Sequence, residues 1–342
     1  MKSRNHFLDM AKGVAIILVV IGHTIQYRNP DFDNQFWFRV IYSFHMPLFI
    51  FLSGAVASLW FNPEAFTQKP LLINLKALSI RTYKAFIRLV IPFVCWGLIA
   101  AFIQKTEQPF ISILVNLFRR PDTGLWFLIC IFYCIFLLNV FQAIFCCFQS
   151  LLSKIGRPLP IKFSSNLVQI LLFTCIWLLI QGRLGNGSGF YSAKTNFIYF
   201  LLGLIFFKFL MGHLKTYLYL GALLLFMWLA PLWHRTNIHN LLDASSLESF
   251  APQLVWFPFL TALSGTLALV FLVKKLEGLN IPKVNESLSF LGKLSLGIYA
   301  LHYYLLELDP PVIVPLAICV IFSVIVLKIP VLRTALLGET GQ

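Results

Sequence analysis

The segment FLDMAKGVAIILVVIGHTIQ, residues 7–26, is apolar enough to enter a bilayer, yet it carries Asp9, Lys12 and His23. Each is a group that can do chemistry. An imidazole accepts and donates a proton near neutral pH. Asp9 and Lys12 are three residues apart, so they are neighbours on one helix face. Lys12 and His23 are eleven apart, close to three full turns, which puts them on one face roughly 16 Å apart along the axis. A Lys or Asp at the centre of a spanning helix costs about 2.5–3.5 kcal/mol. Snorkelling at the membrane edge, or an Asp9–Lys12 pair, removes much of that cost, so these two read either as edge anchors or as functional groups. The next apolar segment, FWFRVIYSFHMPLFIFLSGAV over 36–56, brings a second histidine, His45. The chain turns between the two segments, so both histidines fall in the same half of an antiparallel pair. They read as a proton-handling site in a polar cavity, or as hydrogen-bonding glue between helices. Further on, Arg81, Lys84 and Arg88 fall at i, i+3 and i+7, a basic stripe suited to phosphates or to membrane anchoring. Ser53 is the nearest candidate nucleophile, without a visible Ser–His–Asp partner set.

The elements that position these groups follow from composition. The chain is 59% hydrophobic and 12% charged, with 35 phenylalanines, and apolar runs recur along its whole length; this is the pattern of an integral membrane protein. Backbone polar groups must be satisfied inside lipid, which leaves helices or a closed barrel. The runs are about twenty residues long and do not alternate, so the fold class expected is all-α: a polytopic bundle in one domain, 1–342. Ten spans are expected, with cores at 8–26, 37–60, 86–103, 125–147, 167–181, 196–211, 217–233, 254–273, 294–308 and 311–329. Lys2 and Arg4 resemble the basic start of a signal peptide, but Asp9 and Lys12 interrupt the apolar stretch and no credible cleavage site follows closely. It is therefore read as a retained first helix. An even span count puts both termini on one side. With them inside, inner segments hold about 19 of the 27 Lys and Arg, against about 8 outside, so both termini are expected in the cytoplasm. Arg119 and Arg120 run against that count. The stretches 181–196 and 234–253 read as loops outside the membrane, the second long enough to lie over a cavity.

The net charge of +14 belongs with cytoplasmic loops of a membrane protein rather than with nucleic acid, for which no module is present. The seven cysteines lie in apolar segments and read as small buried hydrophobes, with no disulfide framework. No zinc-type spacing occurs, and no metal is expected. His6, His213, His234 and His239 lie near loops or termini and join no constellation.

Five blocks in this order resemble the acyltransferase 3 family of multi-span membrane acyltransferases. LDMAKGVAIILVVIGH (8–23) resembles the family's first-helix block ending in histidine, and FHMPLFIFLSG (44–54) its second-helix block. RTYKAFIRLVIPFVCWG (81–97) resembles the basic start of the third helix, GLWFLICIFYCIFLL (124–138) the Leu-Trp-Phe-Leu block, and LGKLSLGIYALHYYLL (291–306) a late helix. Many members carry arginine eleven residues before the first-helix histidine, where this chain has Lys12, as in a branch resembling fucose 4-O-acetylases. Lysine keeps the charge but loses the bidentate fork of arginine.

The resemblance implies transfer of an acyl group, usually acetyl, from acyl-coenzyme A to a hydroxyl of an envelope glycan or lipid-linked sugar. The setting is a bacterial inner membrane, with membrane lipids around the protein and no cofactor beyond the acyl-CoA co-substrate. On that reading His23 is the general base, Asp9 and His45 complete the catalytic group, and Lys12, Arg88, Arg81 and Lys84 hold the donor phosphates. His45 is assigned no single role: it can orient His23, bind the acceptor or stabilise the oxyanion. Trp126 resembles a family motif position and reads as an interface anchor or an acceptor-stacking ring. His302 reads as a structural hydrogen-bonding residue, with Ser53, Trp126 and His302 as acceptor-side candidates. The lack of a dedicated cationic pocket near His23 favours acetyl over succinyl. A transporter or flippase of glycans or lipids is the main rival, because bundles with intramembrane polar groups often move substrates. It is disfavoured because no symmetric pair of Gly/Pro-broken helices appears. A scaffold subunit of a glycan-modifying complex is a third reading.

Overall fold

The computed structural model describes residues 5–62, 69–119, 121, 125–155, 166–181, 190–235 and 253–339. Residues 182–189 and 236–252 of the two expected loops, with Lys2, Arg4, Arg120, Gly124 and His239, lie outside the described residues. Among the described residues the regular elements are helical. In chain order they are α1 (His6–Arg28), α2 (Phe36–Tyr42), α3 (His45–Ser58), α4 (Leu71–Ala85), α5 (Ile91–Ile103), α6 (Phe110–Arg119) and α7 (Trp126–Lys154). There follow α8 (Asn166–Ile180), α9 (Phe190–Ile205), α10 (Thr216–Leu229), α11 (Gln253–Gly278), α12 (Pro282–Lys293), α13 (Ser295–Leu301), α14 (Ile313–Lys328) and α15 (Pro330–Leu337).

Among the described residues six runs are long and apolar enough to cross a membrane: His6–Arg28, Phe36–Ser58, Leu71–Ile103, Trp126–Lys154, Phe190–Leu210 and Trp256–Gly278. The chain is thus a multi-pass, all-helical membrane protein. Phe110–Arg119, Asn166–Ile180, Thr216–Leu232 and Ile313–Lys328 are apolar but shorter. The expected ninth core at 294–308 is instead the seven-residue α13 followed by a 3-10 turn, His302–Leu305. The expected third core begins fifteen residues earlier than foreseen, at Leu71, and α6 and α12 were not expected as helices.

The chain forms two compact units. Met1–Leu52 with Gly212–Ile325 make the first, and Ser53–Met211 with Val326–Gln342 the second. In the first unit α1 is the central element. Asn5 caps it, its Oδ1 accepting from Leu8 N–H at 3.0 Å, while Asp9 in the first turn and Arg28 in the last complement the helix dipole. Its main partner is α12, which turns Asn285, Ser289 and Gly292 inward. A Cβ on Gly13 would overlap the carbonyl of Leu288, and one on Gly292 the carbonyl of Asp9, so only glycine lets these backbones approach so closely. Beside this pair α10 packs along α11, and α1 also touches α11 and α13.

In the second unit α7 packs against α4 and α9. Asn139 Nδ2 donates to Thr82 Oγ1 at 2.9 Å, and Arg81 Nη1 to Gln142 Oε1 at 3.3 Å, tying α7 to α4. Trp177, Phe197 and Phe200 form a fully buried aromatic core around α8 and α9. α15 closes back on α5 through Trp96 Nε1 and the Leu336 carbonyl at 3.0 Å.

Candidate active site

Two local features of the sequence aim the histidines. Pro47 lies in the first turn of α3, where it needs no N–H partner but cannot continue a preceding helix. The run therefore breaks at Ser43–Phe44, between α2 and α3. His45 opens the new helix, and its Nδ1 lies 3.0 Å from the Ile41 carbonyl at the end of α2. The second feature is the end of α13. There His302 follows the last helical residue, and its Nδ1 lies 3.1 Å from the Ile298 carbonyl and 2.8 Å from that of Tyr299. The Ile298 carbonyl also accepts the backbone N–H of His302; a side chain that reaches back to carbonyls near a helix end adds to the cap.

On α1, His23 meets both. Its Nδ1 is 2.7 Å from His302 Nε2, and the two rings lie end to end, nearly parallel at 12°, with centroids 5.0 Å apart. The ring of His45 stands edge-on to that of His23, centroids 6.3 Å apart at 87°. His45 and His302 are each 2% exposed, whereas His23 is half-buried and so the accessible member of the trio. Tyr42 packs against His45 at 4.6 Å and lies 5.8 Å from His23; its hydroxyl donates to Gln26 Oε1. Neither Nε2 of His23 nor Nε2 of His45 has a hydrogen-bond partner among the described residues.

The surroundings fix this cluster from two sides. Arg28, at the end of α1, donates through Nε to the Leu306 carbonyl at 3.2 Å and through Nη2 to those of Glu307 and Leu308 at 3.0 and 2.8 Å. Its Nη1 lies 2.8 Å from Asp309 Oδ1, and Tyr27 donates to Glu307. The segment just after His302 is thus held to α1. On the other side Arg39 donates to the Pro231 carbonyl at 2.8 Å and meets His234 Nε2 at 3.2 Å, while Arg235 N–H donates to Asp33 Oδ1 at 2.8 Å. His234 therefore has a partner that its sequence setting did not suggest. The Arg235 guanidinium comes to rest 5.9 Å from the Tyr42 ring. Tyr42 is thus near both the Arg235 cation and His23.

The remaining candidates divide between the units. In the first, Asp9 is buried and pairs with Lys12, whose Nζ is 3.5 Å from Oδ1. Both stand near the start of α1, on the far side of about three turns from His23. In the second, Arg81 lies over the Trp60 ring at 4.3 Å besides bonding Gln142, so its guanidinium is already engaged. Lys84 and Arg88 are exposed. The even stripe expected at 81, 84 and 88 is interrupted, because the wide π-turn Phe86–Val90 adds to the spacing at Arg88. Trp126 is the first residue of α7 and half-buried, and Ser53 belongs to this unit too. No group of three or more metal-ligating side chains occurs among the described residues. The sequence underweighted His302: its block in 291–306 was visible, but nothing local to it pointed at a partner 279 residues away.

Three imidazoles thus converge in the first unit of this helical chain. The chain belongs to the acyltransferase 3 family, whose profile, described as an acyltransferase domain, matches residues 5–331. The nodulation protein NolL of Mesorhizobium japonicum is 27% identical over 233 residues, 65% of this chain and 60% of that protein. NolL of Sinorhizobium fredii is 49% identical over 63 residues, 16% of each chain. The match therefore spans less than two thirds of either relative's length. No solved structure matches.

Proposed function

We propose that this chain moves an acyl group from acyl-CoA to a hydroxyl of an envelope glycan or lipid-linked sugar, with His23 as general base. The observation that carries this reading is the half-buried His23 ring held at 2.7 Å by His302, with its other nitrogen without a hydrogen-bond partner among the described residues. In the reaction the acceptor hydroxyl attacks the thioester carbon as its proton passes to His23. A carbon–oxygen bond forms and the carbon–sulfur bond breaks. The proton then passes from His23 to the leaving thiolate, giving free coenzyme A. No serine intermediate is needed.

His45 fits acceptor binding. Its Nδ1 faces a carbonyl and so carries the proton, leaving Nε2 in the neutral ring as an acceptor suited to a sugar hydroxyl and unsuited to an oxyanion. The orienting role belongs to His302. Arg235 supplies the nearby cation for the developing oxyanion or for a negative group on either substrate. Lys12, with Asp9 holding its ammonium, and the exposed Lys84 and Arg88 are the donor-phosphate candidates. A single domain over both units, cytoplasmic termini and a bacterial inner-membrane location complete the reading. They let cytoplasmic acyl-CoA reach the start of α1.

The test is transfer of a labelled acetyl group from acetyl-CoA into glycan by membrane vesicles that contain the protein and its native acceptor. Incorporation that depends on the protein supports the reading. A protein that instead moves unmodified glycan across the vesicle membrane, with no acetyl transfer, is a transporter and the reading fails.

A further inference from the structure

We infer that His302 is a positioning residue that locks His23 in the tautomer with its proton on Nδ1, so that Nε2 presents a bare lone pair to the acceptor hydroxyl. This rests on the proposed role of His23 and goes beyond it by assigning a partner and a protonation state. The chain of donors and acceptors has one neutral solution. The carbonyls of Ile298 and Tyr299 only accept, so His302 Nδ1 must carry the hydrogen that faces them. A neutral imidazole has one N–H, so His302 Nε2 is an acceptor. The atom 2.7 Å from it, His23 Nδ1, must then be the donor. His23 Nε2 is left without a hydrogen, which is the form a base needs. An unconstrained imidazole exchanges between both tautomers, and the Nε2–H form cannot take a proton at that atom.

The lock is built into the backbone. His302 gains its orientation from the Ile298 and Tyr299 carbonyls near the end of α13, a feature set by where that helix stops. It is 2% exposed, and its ring lies end to end with that of His23 within 12° of parallel, so neither ring can turn without breaking the bond. Arg28 holds the chain just beyond it to α1 through three carbonyls and a carboxylate. When His23 takes the proton from the acceptor, both of its nitrogens become donors. The Nδ1–H to His302 bond is then charge-assisted and stronger. The lock thus favours the charged state that the reaction passes through, as well as the correct starting form.

Two measurements test this on the full-length protein. The first is acetyl transfer from acetyl-CoA in membrane vesicles carrying the native acceptor. His302→Leu removes the acceptor atom, and kcat should fall at least about tenfold, with KM for acetyl-CoA changed by less than about twofold. His302→Gln places an amide oxygen near the Nε2 position and should recover most of that loss. A merely structural role would not distinguish the two variants in kcat alone. If His302→Leu turns over at the wild-type rate while His23→Gln is inactive, the lock is refuted and the base role stands. If His23→Gln is also active, the base reading itself fails. The second measurement needs no variant at position 302: nitrogen-15 NMR of imidazole-labelled wild-type protein, with His23 assigned by the signal lost in His23→Gln. A protonated Nδ1 and bare Nε2 are expected; protonation at Nε2 overturns the inference, whether or not His302→Leu folds.

Discussion

The close approach of α1 and α12 makes a stability prediction whose size can be worked from geometry. Gly13→Ala would drive a methyl group into the backbone carbonyl of Leu288, and Gly292→Ala into that of Asp9. A carbonyl in a helix cannot swing aside as a side-chain tip can, so the helices must separate. Overpacking of this kind costs about 1–3 kcal/mol, and rigid obstacles put each variant near the top of that range. The two sites share one contact, because a Cβ on Gly292 would also come within 3.0 Å of the Gly13 amide nitrogen. Once the first methyl has pried the helices apart, the second finds room already made. The double variant should therefore lose about 1–2 kcal/mol less than the sum of the singles. Gly221→Ala is the internal control: it lies exposed in α10 with nothing within 4 Å of a new Cβ, and should gain up to about 1 kcal/mol. Reversible unfolding of the detergent-solubilised protein measures all four. Singles within about 0.5 kcal/mol of wild type, or strict additivity in the double, would refute the shared backbone contact.

Other perturbations separate holding from chemistry. Lys12→Met leaves the buried Asp9 carboxylate without its lysine, and should cost on the order of 3 kcal/mol that Asp9→Asn/Lys12→Met largely restores; if the single variant is as stable as wild type, the pair is not structural. Arg28→Lys should not replace Arg28, because a single ammonium cannot reach three carbonyls and a carboxylate at once. Faster hydrogen exchange over 303–309 and lower acetyl transfer are expected, and unchanged exchange there would count against the brace. Arg88→Glu and Lys84→Glu should raise the dissociation constant for acetyl-CoA more than they slow bound-complex turnover; an unchanged constant removes them from the donor site. Arg235→Gln should lower kcat or narrow the acyl groups accepted without loosening the fold, which a panel of acetyl-, propionyl- and succinyl-CoA would read directly.

Much of this was legible in the chain itself, and what was not has physical causes. The long helices announce themselves by apolar runs, and α1, α2–α3, α7 and α11 fall close to where hydropathy puts them. His23 and His45 were legible as a pair because two successive antiparallel spans must bring the ends of their sequences together. The Asp9–Lys12 pair followed from helical spacing alone. α12 was not legible: its sequence PKVNESLSFLGK reads as a polar connection, and only its close packing at Gly13 of α1 shows why small polar residues face inward. The ninth core failed because Leu294–Leu308 is apolar enough for a span while the helix ends at Leu301, where the His302 side chain takes over its carbonyls. The His23–His302 bond and the placement of Arg235 are long-range consequences of the fold, and no local periodicity encodes them.

The role of His23 is most directly tested by mass spectrometry of surface glycans from a deletion strain complemented with wild-type protein or with His23→Gln at equal membrane abundance. The expected result is one acyl mass increment restored by the wild type and absent with His23→Gln, reflecting a base worth about a hundredfold or more in rate. Full restoration of the increment by His23→Gln would contradict the mechanism outright.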